Sequence, residues 1–223
     1  MIYYTDGRTA PRLGREGVAT MAATLAEAFM EHDNWVRVVP RPEARRRALR
    51  ALFGFIGGVV DERGHVVVAV AEGRPVGYIT FMENRDRAGV TLPRIVRTGG
   101  VGDVLRLLAA LRPRELAGMV AFESAMARFH RDNPPDPQGL HLYSAGVLPA
   151  WKGRGLMKAA FAFAEARFRE AGFASYVLET TDPGNLPVYE AFGLSRLGEL
   201  AMPGSNRPAW FLERRFGPRA RSD

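Results

Sequence analysis

The chain has 223 residues, 47% of them hydrophobic and 25% charged, with a net charge of +7 and no cysteine. That length can bury a substantial core, the composition is that of a globular domain, and disulfide or thiolate chemistry within the chain is excluded. No apolar run reaches 18 residues and "MIYYTDGRTAPR" lacks a basic segment followed by an apolar one, so a cytoplasmic location without membrane contact is expected.

In chain order, "EGVATMAATLAEAFM" (16–30) carries apolar residues at helical spacing and ends at "DNW" (33–35). A second helix is expected over 42–56, with Ala48, Leu49, Leu52, Phe53 and Ile56 on its apolar face, followed by a turn at "DERG". "HVVVAVAEGRPVGYITFMEN" reads as a β-hairpin turning at "EGRP". Residues 92–132 return to a helical pattern, broken at Gly99 and Gly100 and stopped by "RDNPPDP". Then come a strand "LHLYSAGVL", a helix "GRGLMKAAFAFAEARFREAG", a strand "ASYVLETT", a short helix "NLPVYEAFG", and a closing hairpin of "SRLGELAMP" and "PAWFLER".

This order predicts an α+β or α/β domain with a mixed sheet, flanking helices and one central βαβ crossover. No repeat or low-complexity linker divides the chain, so residues 1–223 are expected to form a single domain, with 1–12 and 217–223 at its periphery. The basic residues are scattered. The cluster at 41–50 is spaced like the wet face of a helix, and "RRFGPRARSD" is a solvated tail. Charge without a recognised binding module gives no nucleic acid partner.

The stretch "AGVLPAWKGRGLMKAAF" (145–161) holds both lysines of the chain, Lys152 and Lys158. A strand entering a helix through glycines leaves backbone N–H groups unpaired at the positive end of the helix dipole, which suits an anion. Gly153 and Gly155 serve equally well in a plain tight connection, and the two readings stay open on glycine spacing alone. A Walker loop is absent. A dinucleotide fingerprint would need glycine where Lys158 stands.

"GVLPAWKGRGLMKAAF" resembles the acetyl-CoA-binding signature of the GNAT acetyltransferase superfamily. Val147, Pro149 and Gly155 match it, Lys152 stands where Gln or Arg is usual, and Met157 stands where Gly or Ala is usual. "YVLETTDPGNLPVYEAFGL" (176–194) is similar to a second segment of the same superfamily, and is closest to the puromycin acetyltransferase-like branch. Together the resemblance covers about the last 75 residues.

The resemblance implies a GNAT-like fold, a largely antiparallel mixed sheet whose βαβ unit splays to admit acetyl-CoA. It implies direct transfer of acetyl to an amine, with no metal. Backbone groups of Ala145 and Val147 would pair with the pantetheine arm. N–H groups of Gly153, Arg154, Gly155, Leu156, Met157 and Lys158 would surround the pyrophosphate beside Lys152, and Met157 would crowd it unless its side chain turns into the core. Asn185 would reach the pantetheine or cap a helix.

Tyr189 is the implied general acid, since a phenol is protonated at neutral pH and matched to a departing thiolate. Glu179 is taken as the base, although it could equally pair with an arginine, and His141, Glu123, His130 or water are the other choices. The acceptor pocket is expected from the first two helices, their loop and the hairpin, with Trp35, Phe53, Phe55, Phe81 and Tyr143 as lining or core residues. Phe55 falls off its helix's apolar face and needs another cover. The branch suggests a small-molecule amine. A protein or peptide amine, or a silent acyl-CoA-binding module, are the alternatives, and a homodimer is allowed.

Overall fold

The β-branched runs assemble into one sheet in the structure, a computed structural model that describes residues 1–5, 11–86 and 92–216. Its strands are β1 (Ile2–Thr5), β2 (His65–Ala71), β3 (Arg74–Glu83), β4 (Leu140–Val147), β5 (Ser175–Thr180), β6 (Ser195–Ala201) and β7 (Pro208–Arg215), in the order β1-β2-β3-β4-β5-β7-β6. Every neighbouring pair is antiparallel except β4–β5. The expected hairpin is β2–β3, turning at Glu72 and Gly73 with both φ values positive, as a two-residue hairpin turn requires.

The helices are α1 (Gly14–Phe29), α2 (Asp33–Val38), α3 (Pro42–Arg63), α4 (Leu92–Arg97), α5 (Val101–Ala110), α6 (Pro113–Asp132), α7 (Leu156–Ala171) and α8 (Leu186–Ala191). On one face of the sheet, Phe161, Ala164 and Phe168 of α7 pack with Phe81, Leu140, Tyr176 and Leu178. On the other, Met21 and Leu25 of α1 and Leu49 and Phe53 of α3 pack with Val66, Val68, Tyr78 and Met82. No helix among the described residues is long and apolar enough to cross a membrane.

Three differences from the sequence expectations have physical causes. The helix expected over 42–56 continues to Arg63, so "DERG" is its last turn rather than a separate one. A Cβ at Gly57 would meet Met21 Cε at 2.6 Å, so tight packing of α1 on α3 holds glycine inside the helix against its low propensity. Phe55 finds its cover because α3 is flanked by both α1 and α5, and it is buried in the cluster that also receives Val104. Ile2–Thr5, expected only as periphery, is an edge strand paired from Ile2↔Ala69 to Thr5↔Val66. The other expected peripheral segment, 217–223, lies outside the described residues, as do 6–10.

α6 runs over the β5–β7 face opposite α7. Phe129 stacks on Phe211 with ring centroids 3.4 Å apart, and Phe122 and Met126 pack against Met202, Ala209 and Phe211. The start of α6 is tied to the segment before α3. Arg41 donates to both Glu115 carboxylate oxygens, at 2.7 and 3.3 Å, and Glu115 also accepts from the Arg112 backbone N–H at 2.7 Å.

Candidate active site

The parallel strands β4 and β5 pair only at Leu140↔Tyr176 and His141↔Val177. Beyond that point β4 keeps β3 on one side, from Leu142↔Phe81 to Val147↔Gly77, and has no strand on the other among the described residues. The cause lies in β4 itself. Its register against β3 jumps from Leu142↔Phe81 to Ser144↔Thr80, leaving Tyr143 as an extra, bulged residue. A bulge increases twist and bends its strand, here away from β5, and a buried Thr80–Ser144 hydroxyl contact of 2.7 Å pins it. Ala145 and Val147 lie in the opened stretch, whose outward N–H and C=O groups are available to an extended ligand.

The wedge leads to the glycine turn. After a 3₁₀ turn at Pro149–Trp151, Gly153 and Gly155 adopt φ values of 75° and 74°. A Cβ on either would meet nothing within 4 Å, so backbone conformation demands glycine while the space above stays open. Gly155 caps α7 without a side-chain partner, and the first bond into the helix runs from Ala159 N–H to Gly155 O at 3.0 Å. The N–H groups of Leu156, Met157 and Lys158 therefore precede the intrahelical ladder. Lys152, Arg154 and Lys158 are exposed around them, with the Arg154 guanidinium 4.6 Å from the Trp151 ring centre. Met157 is partly buried against the α7 core, which leaves the turn uncrowded.

Across the wedge, α8 carries Asn185 and Tyr189. Asn185 sits at the N-cap of α8 but does not cap it, and its Nδ2 donates to Thr180 Oγ1 at 3.3 Å. Asp182 does the local capping by accepting from Gly184 N–H at 2.9 Å. The Tyr189 ring is partly buried and meets Phe161 edge-on at 6.5 Å. Burial, with a smaller push from the Asp182 carboxylate, raises its phenol to about 12, so it remains a proton donor.

Three of the four side chains weighed as bases converge at the apex of the wedge. His141 Nε2 and Glu179 Oε2 are 2.6 Å apart, and His130 Nε2 contacts Glu179 Oε1. Among the described residues, Glu179 has two histidines for partners. Burial would raise its carboxyl, but the charge of His141 and the contacts with both imidazoles outweigh it and hold the group well below the usual range. Glu123 is exposed, two turns earlier on α6.

Of the expected lining residues, Phe53, Phe55 and Phe81 are core. Trp35 is partly buried against the α1–α3 cluster, and Tyr143 is 37% exposed with its ring 5.0 Å from His141. One residue went unnoticed in the sequence. His32, between α1 and α2, is held below the usual imidazole value, chiefly by burial, with Asp182 and Asp33 acting against that shift and Lys152 adding to it. A single histidine in "MEHDNW" carries no pattern that would mark it.

The sequence matches the model of the acetyltransferase (GNAT) family over residues 26–194. It is 31% identical over 70 residues to acetyltransferase Atu2258 of Agrobacterium fabrum (strain C58), a match covering 31% of this chain and 51% of that protein, so it spans about half the length of that curated relative. Among solved structures, the fold is similar to a histone acetyltransferase HPA2-related acetyltransferase from Corynebacterium glutamicum ATCC 13032, with TM-score 0.59, 22% identity and 96% of each chain covered. It is also similar to a Drosophila melanogaster polyamine N-acetyltransferase that forms N-acetylagmatine, with TM-score 0.59, 14% identity, and 97% of this chain and 100% of that one covered.

Proposed function

The chain belongs to the acetyltransferase (GNAT) family, and from that premise we propose that it transfers acetyl from acetyl-CoA to a primary amine of a small molecule, by direct attack within a ternary complex. The observation that carries this reading is the two-residue contact between β4 and β5, which opens a wedge onto an uncapped, uncrowded glycine turn.

In this reading Ala145 and Val147 hold the pantetheine arm through their backbone groups, with Asn185 on the facing side. The N–H groups of Gly153, Arg154, Gly155, Leu156, Met157 and Lys158, with the Lys152 ammonium, hold the pyrophosphate. Acetyl-CoA supplies an activated acyl carbon. The amine nitrogen bonds to that carbon as the carbon–sulfur bond breaks, the amine loses a proton, and the departing thiolate gains one. Tyr189 gives the second proton. For the first, the acceptor is His141 in its neutral form, whose Nε2 lies 2.6 Å from Glu179 Oε2, and Glu179 is a positioning residue that stabilises the imidazolium so formed.

A small acceptor is supported by α6, which is fastened onto β7 and reaches Glu179 on β5. Phe129 stacked on Phe211, His130 against Glu179 and the Arg41–Glu115 pair tie that helix down along its length, which narrows the room for a polypeptide. A protein of the same fold that acts on polyamines agrees with this. The test is a free-thiol release assay over a panel of diamines, aminonucleosides and aminoglycosides, with N-terminal and lysine peptides alongside. Turnover of peptides only would reverse the acceptor assignment, and turnover of none would remove the reading.

A further inference from the structure

A carboxylate that only orients a proton acceptor needs one imidazole, and Glu179 has two. His130 comes from α6, His141 from β4 and Glu179 from β5, and their side chains are 13%, 9% and 13% exposed. Their donor atoms lie within 4.8 Å of one another. Some point therefore lies within about 2.8 Å of all three (4.8 Å divided by √3), against metal–ligand bonds of about 2.0–2.2 Å for zinc. Side-chain shifts below about 1 Å would close that difference.

The scaffold suits a fixed ion. His141 and the neighbourhood of Glu179 sit where β4 and β5 are held together, at His141↔Val177. The His130 ring stands edge-on to Phe211, 5.3 Å away, on a helix pinned by the Phe129–Phe211 stack. His130 Nε2 meets the carboxylate at Oε1 and His141 Nε2 meets it at Oε2, so the two imidazoles reach it from α6 and from β4. Two imidazoles and one carboxylate favour zinc or its transition-metal neighbours over magnesium or calcium, and the open wedge leaves a position for water.

We propose that His130, His141 and Glu179 form a divalent transition-metal site that Zn²⁺ occupies, and that its occupation holds the enzyme inactive because an imidazole ligated through the His141 Nε2 that faces Glu179 keeps its proton on the other nitrogen and can no longer accept one from the amine. Acetyl transfer requires no metal in this scheme; the ion is an inhibitor. The inhibitory half rests on the acetyltransferase reading, whereas the binding half does not.

The experiment is calorimetric titration of the full chain with ZnCl₂, in a non-chelating buffer and without acetyl-CoA or amine, with MgCl₂ as control. One Zn²⁺ per chain at micromolar or tighter Kd is expected, with Mg²⁺ silent. Affinity should fall at least tenfold in each of His130→Ala and His141→Ala, with folding checked by circular dichroism. Should either alanine variant unfold, His130→Asn and His141→Asn replace it. No Zn²⁺ binding, or binding undiminished in the folded variants, overturns the site. With an acceptor in hand, Zn²⁺ should abolish thiol release and EDTA should restore it. Zn²⁺ bound to an active enzyme without loss of rate overturns the inhibitory role. An enzyme silent on every amine instead counts against the acetyltransferase reading, while the titration still decides the site.

Discussion

Replacing Gly155 with alanine separates a plain turn from a pyrophosphate cradle, because the molecule contains its own control. Gly155 and Gly73 have nearly equal φ values, 74° and 73°, and a Cβ on either meets nothing within 4 Å. Both substitutions therefore incur the same penalty for a side chain in the left-handed region, about 1–2 kcal/mol, with no clash. For a chain of this size that is a loss in Tm of roughly 2–8 °C. Gly73 lies in the β2–β3 hairpin turn, whereas the methyl at 155 projects into the open space over the start of α7. Gly155→Ala should lose at least about tenfold in acetyl-CoA affinity, or 1.4 kcal/mol, and Gly73→Ala none. Thermal denaturation supplies the matched stability costs and calorimetric titration the affinities. Equal acetyl-CoA affinity in the two variants would refute the cradle.

Tyr189→Phe should lower kcat by about 10²-fold or more while leaving acetyl-CoA affinity within about twofold. Because the Tyr189 phenol is raised to about 12, it stays protonated from about pH 8 to pH 10, and kcat should not fall over that range through loss of the acid; a decline there that Tyr189→Phe abolishes would contradict the assignment. Phe129→Leu removes the stack that holds α6 on β7 beside Glu179, so amine KM should rise several-fold with acetyl-CoA affinity unchanged, as steady-state kinetics will read. Glu115 is held below the usual carboxylate range, chiefly by the Arg41 hydrogen bonds. Its folded value lies under its unfolded one, so its contribution is complete above about pH 4.3 and is lost as pH falls through the folded value. With Arg41 37% exposed, that contribution is about 1 kcal/mol, and Glu115→Gln should lower Tm at pH 7 by an amount that shrinks as the pH falls through the folded value.

Much of this architecture is legible in the residues because it is local. The alternation and turn chemistry of 65–83, the glycines bracketing α7 and the β-branched run of β5 each declare their element over a few positions. Two widely spaced motifs then identify the fold around them. What escapes is created by tertiary contact. Tyr143 has no sequence mark of a bulge, yet it bends β4 from β5 and opens the wedge. Gly57 and Gly58 argue against a long helix until the approach of α1 to Gly57 is known. β1 is four residues long and takes its identity from its partner β2. At the site, Glu179, His141 and His130 could each be weighed as a base. Their meeting on one carboxylate depends on α6 crossing the sheet, which no spacing between 130, 141 and 179 encodes. The Met157 side chain, which departs from the family pattern, is accommodated by packing into the α7 core.

The most direct test of the account is a thermal shift with acetyl-CoA, CoA and ATP on the unmodified chain. At a ligand concentration one hundred times Kd, linkage gives about 2.7 kcal/mol of stabilisation. For a domain of this size that is a rise in Tm of roughly 5–11 °C. The account predicts that rise with acetyl-CoA and CoA and little with ATP at the same concentration. No shift with acetyl-CoA, or an equal shift with ATP, would contradict it.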